Sequence, residues 1–226
     1  MKKPVVDYRK FSFSKINTPE FSHLKLLLGW VVYFVLFFLT ENLIPYDKCH
    51  VIHSSLDDVV PFLEIFVIPY VFWYVLIVIS LVWFALYNVD NFKRLQTFII
   101  ITQALAMTVY IFYPNIQLLR PDIYPRDNFL TDIVALIQTF DTPTGVFPSL
   151  HVAYSVGIAS SWLKEKNCSA LWKTFVVISA IVISLSTAFI KQHSVLDIFG
   201  AIPVCVVAEF FVWGKWWKKK LKKQGN

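Results

Sequence analysis

Three short stretches of a largely apolar chain each carry side chains able to do chemistry: RPD at 120–122, FPSLH at 147–151 and STAFIKQHSVLD at 186–197. In the last, His193 and Asp197 are four residues apart and share a face if a helix begins there. A carboxylate behind an imidazole selects its tautomer and stabilises the charged ring. The other ring nitrogen is then free to attack an electrophile. The same pair could also be a purely structural tie at a helix end.

The middle stretch places Pro148 for the first turn of a helix, where its missing N–H costs nothing. Ser149 would then offer a hydroxyl and an N–H at a helix N-terminus, a natural place for a phosphate oxygen. His151 follows closely and could give a proton to a leaving oxygen. An ordinary helix cap beside an interfacial histidine would read the same way. Arg120 carries a planar guanidinium suited to phosphate at any pH, although a lone arginine is more often a solvated loop residue. Lys191, two residues from His193, is a further candidate cation, with snorkelling at a membrane edge as its bland alternative.

Those residues need a scaffold, and the composition specifies its type. The 226 residues are 57% hydrophobic, 17% aromatic and only 16% charged. Soluble domains carry about a quarter charged residues. Apolar runs near the roughly 20 residues needed to cross a bilayer fall at 26–44, 61–87, 95–113, 148–163, 171–190 and 195–213. The expected fold is therefore all-α: a polytopic bundle of about six transmembrane helices, forming one domain over 1–226. Pro61 and Pro69 are expected to bend the second span or to give it an interfacial first turn, and the short fourth span should be buried among the others. No small-residue cleavage site follows the first run, so it reads as a retained span. Cys49, Cys168 and Cys205 are too scattered for a disulfide framework or zinc site.

Of the 21 Lys and Arg, all but Lys48, Arg120, Arg126 and Lys191 fall on the side of the termini if six spans alternate. By the positive-inside rule both termini are then cytoplasmic. Segment 1–25 becomes a cytoplasmic lead-in. Segment 215–226 becomes a cytoplasmic basic tail that suits an anionic inner leaflet. The net charge of +6 then requires no nucleic-acid partner. The external loop 114–147, the start of the fourth span and the KQHSVLD segment would converge on the outer face.

Arg-Pro, then Pro-Ser-x-His, then Ser-x6-His-x3-Asp, in that order, resembles the type 2 phosphatidic acid phosphatase superfamily of membrane lipid phosphatases over roughly residues 113–197. The resemblance implies metal-independent phosphoryl transfer from a lipid phosphate. His193 would be the nucleophile that becomes a phosphohistidine, and His151 the proton donor to the departing alkoxide. Asp197 would orient His193, while Arg120 and Ser149 hold the phosphoryl oxygens. Tyr113, Leu150 and Thr187 depart from the superfamily pattern, which has Lys, Gly and Arg there. Phe-Pro-Ser-Leu-His and Ser186-Thr187 look instead like the inositol phosphorylceramide synthase branch, whose members pass a phospho-headgroup to an alcohol. On that reading Thr187 and Lys191 complete the phosphate-binding set.

Hydrolysis of a lipid phosphate is the leading expectation and headgroup transfer the closest rival. A proton-relay transporter and a non-catalytic lipid binder are the other classes considered. No HExxH and no Asp-rich motif is present, so no metal and no other cofactor is expected. His23 is expected to be solvated. Asp57, Asp58, Asp122, Asp127, Asp132 and Asp141 are expected to be scattered loop charges, and Glu209 to have a buried hydrogen-bonded partner.

Overall fold

The structure is a computed structural model that describes residues 3–224, with side chains as far as Lys215. Lys2 and the side chains of the tail from Trp216 onward, including Lys218, Lys219, Lys220, Lys222 and Lys223, lie outside the described residues. Eight α-helices are seen among the described residues: α1 (Leu28–Leu43), α2 (Ser55–Val59), α3 (Val67–Tyr87), α4 (Val89–Phe112), α5 (Phe129–Phe140), α6 (Leu150–Lys164), α7 (Ala170–Phe189) and α8 (Val195–Gln224). The only named strands among them, β1 (His50–Val51) and β2 (Asn115–Ile116), form a two-residue parallel pair. The fold is an all-α bundle.

Five helical segments are long and apolar enough to span a bilayer: Ser22–Leu43, Glu64–Tyr87, Val89–Phe112, Ala170–Phe189 and Val195–Lys215. The protein is thus a multi-pass integral membrane protein. The sixth expected span, α6, has only 15 residues. At about 1.5 Å per residue that is roughly 22 Å, short of a hydrocarbon core about 30 Å thick. Its neighbours compensate, because α6 packs on α3, α4, α7 and α8. Its small residues permit that closeness: a Cβ on Gly157 would stand 2.6 Å from the ring of Phe98 on α4.

Several boundaries differ from the hydropathy pattern for local reasons. The second span does not begin at 61; a 3-10 turn over Glu64–Phe66 leads into α3, and Pro69 sits in its first turn, where proline is tolerated. The third span begins at Val89, earlier than expected, because the Asn88 side chain caps it by accepting from the Asn91 N–H at 3.1 Å. Hydropathy misses that turn because it is polar. The loop 114–147 is not wholly irregular, since it contains α5. The last helix continues past 213 to Gln224.

The bundle has two chemically different ends. At one end Glu165 accepts from Asn88 and Asn91 at 2.5 and 2.8 Å. Glu209 accepts there from Lys164 at 2.6 Å and from Ser160 at 2.7 Å, which supplies the partner its apolar surroundings demand. The N-terminal segment docks at this end through Val5 N–H to the Leu86 carbonyl at 2.7 Å. His23 is not solvated: it is 2% exposed and bonds the Tyr8 hydroxyl at 2.6 Å. The opposite end gathers the starts of α3, α6 and α8 and the ends of α1, α4 and α7.

Candidate active site

Asn115, 1% exposed and the first residue of β2, organises the chain that enters α6. Its Oδ1 accepts from the N–H groups of Val146 and Phe147, both at 2.9 Å, and its Nδ2 donates to the Phe147 carbonyl at 3.2 Å. Phe147 packs on Gly200 of α8, where an added Cβ would lie 2.3 Å from the ring. The Ser149 N–H then donates to the Asp197 carbonyl at 3.1 Å. These contacts fix the start of α6, and hence His151, against the start of α8.

The loop before α8 presents His193. Its N–H and that of Gln192 both donate to the Thr187 carbonyl, at 3.0 and 2.9 Å. The His193 Nδ1–H donates to Asp197 Oδ2 at 3.0 Å, and the same oxygen accepts the Ser194 N–H at 3.0 Å. Asp197 is fully buried. A buried carboxylate on Nδ1 leaves Nε2 as the nitrogen bearing the lone pair.

His151 and His193 face each other with ring centroids 5.7 Å apart. A near-attack approach of about 3–3.5 Å by one ring and a hydrogen bond of about 2.6–3.2 Å from the other are both compatible with that spacing. His151 is flanked by Trp73 at 4.4 Å and Tyr70 at 4.6 Å. Its Nε2 is buried with no hydrogen-bond partner, as is Asp197 Oδ1. Such unpaired polar atoms are uncommon and call for an explanation, a ligand being one.

Both imidazoles open on a cavity of about 670 Å³. Its wall is mostly apolar, with Trp30, Tyr33, Phe37, Trp73 and Tyr74 prominent, and its polar groups include Asp141, Thr142 and Gln192. No Lys or Arg contributes to it among the described residues. An apolar chamber with polar groups gathered near two imidazoles suits an amphiphile. Among the described residues, no three His, Cys, Asp or Glu side chains are grouped to hold a metal ion.

The structure brings together three of the residues singled out by sequence: His151, His193 and Asp197. The other four, like Asp197 behind His193, do not line the cavity. Arg120 is clamped, with Nη1 donating to the carbonyls of Gln138 and Asp141 at 3.0 and 2.8 Å. Its Nη2 donates to the Thr142 carbonyl at 3.2 Å and to Gln192 Oε1 at 2.8 Å. Ser149 caps α6 through the Val152 N–H, and the Thr187 hydroxyl donates to the Ser184 carbonyl at 2.8 Å. The Lys191 Nζ donates to the carbonyls of Asp57 and Val60, at 2.8 and 2.5 Å. Tyr113 stacks on His50 at 4.2 Å.

Two of the acids expected to be solvated are placed otherwise. Asp57 is 3% exposed and accepts from the Ser54 N–H, the Ser194 hydroxyl and the Val195 N–H, at 2.8, 2.6 and 2.7 Å. It closes a capping box on α2 and caps α8 at the same time. Ser54-x-x-Asp57 was the local signal for the first role; nothing local signals the second. Asp141 stands on the cavity wall, and burial pushes its carboxyl above the usual range despite the nearby His193 and Arg120. Gln192, also unmarked by any motif, is 2% exposed, lines the cavity and leaves Nε2 without a partner.

No protein-family model, no curated protein and no solved structure matches this chain.

Proposed function

We propose that the protein transfers a phosphoryl group from a membrane lipid phosphate through a phosphohistidine at His193. The observation that carries this reading is the triple juxtaposition on one amphiphile-sized cavity: Asp197 behind His193 at 3.0 Å, and His151 facing it at 5.7 Å between ring centroids. His193 Nε2 attacks phosphorus and the P–O bond to the lipid breaks. His151, protonated, gives its proton to the leaving oxygen. Water, losing a proton to His151, then attacks phosphorus, the P–N bond breaks and phosphate leaves. Asp197 steadies the imidazolium while the charge is present. The excess of Lys and Arg on the other side of the bundle supports cytoplasmic termini and an outward-facing site, and the basic tail supports contact with anionic lipid.

Headgroup transfer to an alcohol is a second reading, favoured by the lack of Lys and Arg on the cavity wall among the described residues. A phosphomonoester carries up to two negative charges and is poorly matched there, whereas a phosphodiester carries one.

The test is a panel of phosphatidic acid, phosphatidylinositol and phosphatidylcholine in mixed micelles with the purified full chain. Released phosphate and transferred headgroup are both followed. The expected result is turnover of at least one lipid, lost in His193→Ala, with label from the phosphate trapped on the wild-type protein in an acid-labile, base-stable form. Undiminished turnover by His193→Ala would remove the reading.

A further inference from the structure

We infer that Gln192 is a catalytic residue that donates from Nε2 to the phosphoryl oxygen on which charge develops, with Arg120 acting through it. This rests on the proposed phosphoryl transfer and names a group that no motif marks.

Phosphoryl transfer concentrates negative charge on the non-bridging oxygens, so donors must be in place before the reaction. The cations near the site are spent on other acceptors. Lys191 holds two loop carbonyls, and the terminal nitrogens of Arg120 hold three carbonyls and Gln192. Arg120 does not line the cavity; Gln192 does, together with His151 and His193.

The orientation of the Gln192 amide follows from chemistry. Guanidinium only donates, so the amide oxygen must face Arg120 and the NH2 must face away from it. That NH2 is buried and unpaired in the free protein, on a residue 2% exposed and adjacent in the chain to His193. A buried unpaired amide donor costs stability, and a phosphoryl oxygen would satisfy it. The Arg120 bond at 2.8 Å polarises the amide, passing part of a full charge to a group that is itself neutral. The Arg120 guanidinium is held by the four bonds of its terminal nitrogens, while its Nε is buried without a partner.

The discriminating variant is Gln192→Glu. A carboxylate preserves the acceptor for Arg120 and strengthens that bond, so a structural role predicts a folded, fully active protein. A donor role predicts the reverse, because an acceptor then faces the phosphoryl oxygens. Orthovanadate, which adopts the geometry of the transferring phosphoryl group, is the probe. Its binding to the full-length protein in detergent is read from tryptophan fluorescence, since Trp30 and Trp73 line the cavity.

Gln192→Glu is expected to weaken vanadate binding about 10- to 100-fold, the worth of a hydrogen bond to a charged group, with no fall in melting temperature. Gln192→Met, long and without a donor, is the second variant and should show a similar loss. It decides the matter if the glutamate variant does not fold. Wild-type affinity in either folded variant overturns the role of Gln192. His193→Ala separates this from the underlying reading. If it abolishes vanadate binding while Gln192→Glu and Gln192→Met retain it, only the inference on Gln192 falls. If the wild type binds no vanadate, or His193→Ala binds it as tightly, the histidine chemistry falls as well.

Discussion

The N–H of Ser149 donates to the carbonyl of Asp197 at 3.1 Å, joining the helix that carries His151 to the first turn of the helix that follows His193. Both partners are backbone groups, so the tie survives side-chain replacement. Ser149→Ala removes only the cap on the Val152 N–H. The expected loss is about 0.5–2 kcal/mol of stability, with turnover nearly unchanged. Melting temperature and initial rate measured side by side check this. A fall in rate out of proportion to the fall in melting temperature would instead place the hydroxyl on the substrate.

Asp197→Asn keeps the volume and offers an NH2 to His193 Nδ1, which can favour the wrong tautomer. Phosphoryl transfer should fall on the order of 10³–10⁴-fold, while the Ser149 tie persists. Single-turnover phosphorylation of His193 is the measurement. A rate within about tenfold of wild type would leave Asp197 as a helix cap only.

Asp57→Ala strands three donors: the N–H groups of Ser54 and Val195 and the hydroxyl of Ser194. Loss of two caps and a buried hydrogen bond should cost about 2–4 kcal/mol. Asp58 is exposed and pairs with His53 at the surface at 2.8 Å, so Asp58→Ala should cost less than about 1 kcal/mol. Equal melting temperatures for the two variants would contradict the double-cap role.

Lys191 has φ 58° and an ammonium fixed on two carbonyls. Lys191→Ala loses those bonds and keeps the left-handed backbone, while Lys191→Gly loses the same bonds and relieves the strain. The glycine variant should therefore melt higher than the alanine variant. Substrate affinity should be alike in both. A selective loss of affinity in both variants would return Lys191 to the phosphate.

Asp141 gives a pH signature. Burial raises its carboxyl in the folded state above the ordinary value of about 3.9. A raised carboxyl contributes stability that is fully present below the unfolded pKa and is lost as pH rises through the folded pKa. Asp141→Asn removes that dependence. The variant should gain melting temperature relative to wild type at neutral pH, and the gain should shrink as the pH falls towards 4. A gain that is constant with pH would rule out the carboxyl as its source.

Much of the scaffold was legible because a bilayer imposes a one-dimensional rule. Long apolar runs become helices, and five of the six expected spans are long enough to cross. The pairing of His193 with Asp197 was legible because i and i+4 lie close at a helix start. Pro148-Ser149 announced a helix start for the same local reason. By contrast, Asp57 and Asp141 sat in polar loops that read as solvent-exposed, and His23 lay in a segment whose docking on the bundle no local pattern announces.

What the sequence by itself determined is therefore the set of elements and the His–Asp pair, since both depend on neighbours within a turn or on the apolar content of a single run. Tertiary structure alone decided where each cation goes. Arg120 and Lys191 could both reach a phosphate in an extended reading. In the folded chain their donors meet carbonyls up to 134 residues away in sequence, and a guanidinium or ammonium takes whichever acceptors the packing leaves unsatisfied. The same packing left Gln192 turned by Arg120 and its amide NH2 unpaired, a consequence of segments meeting that no one of them encodes.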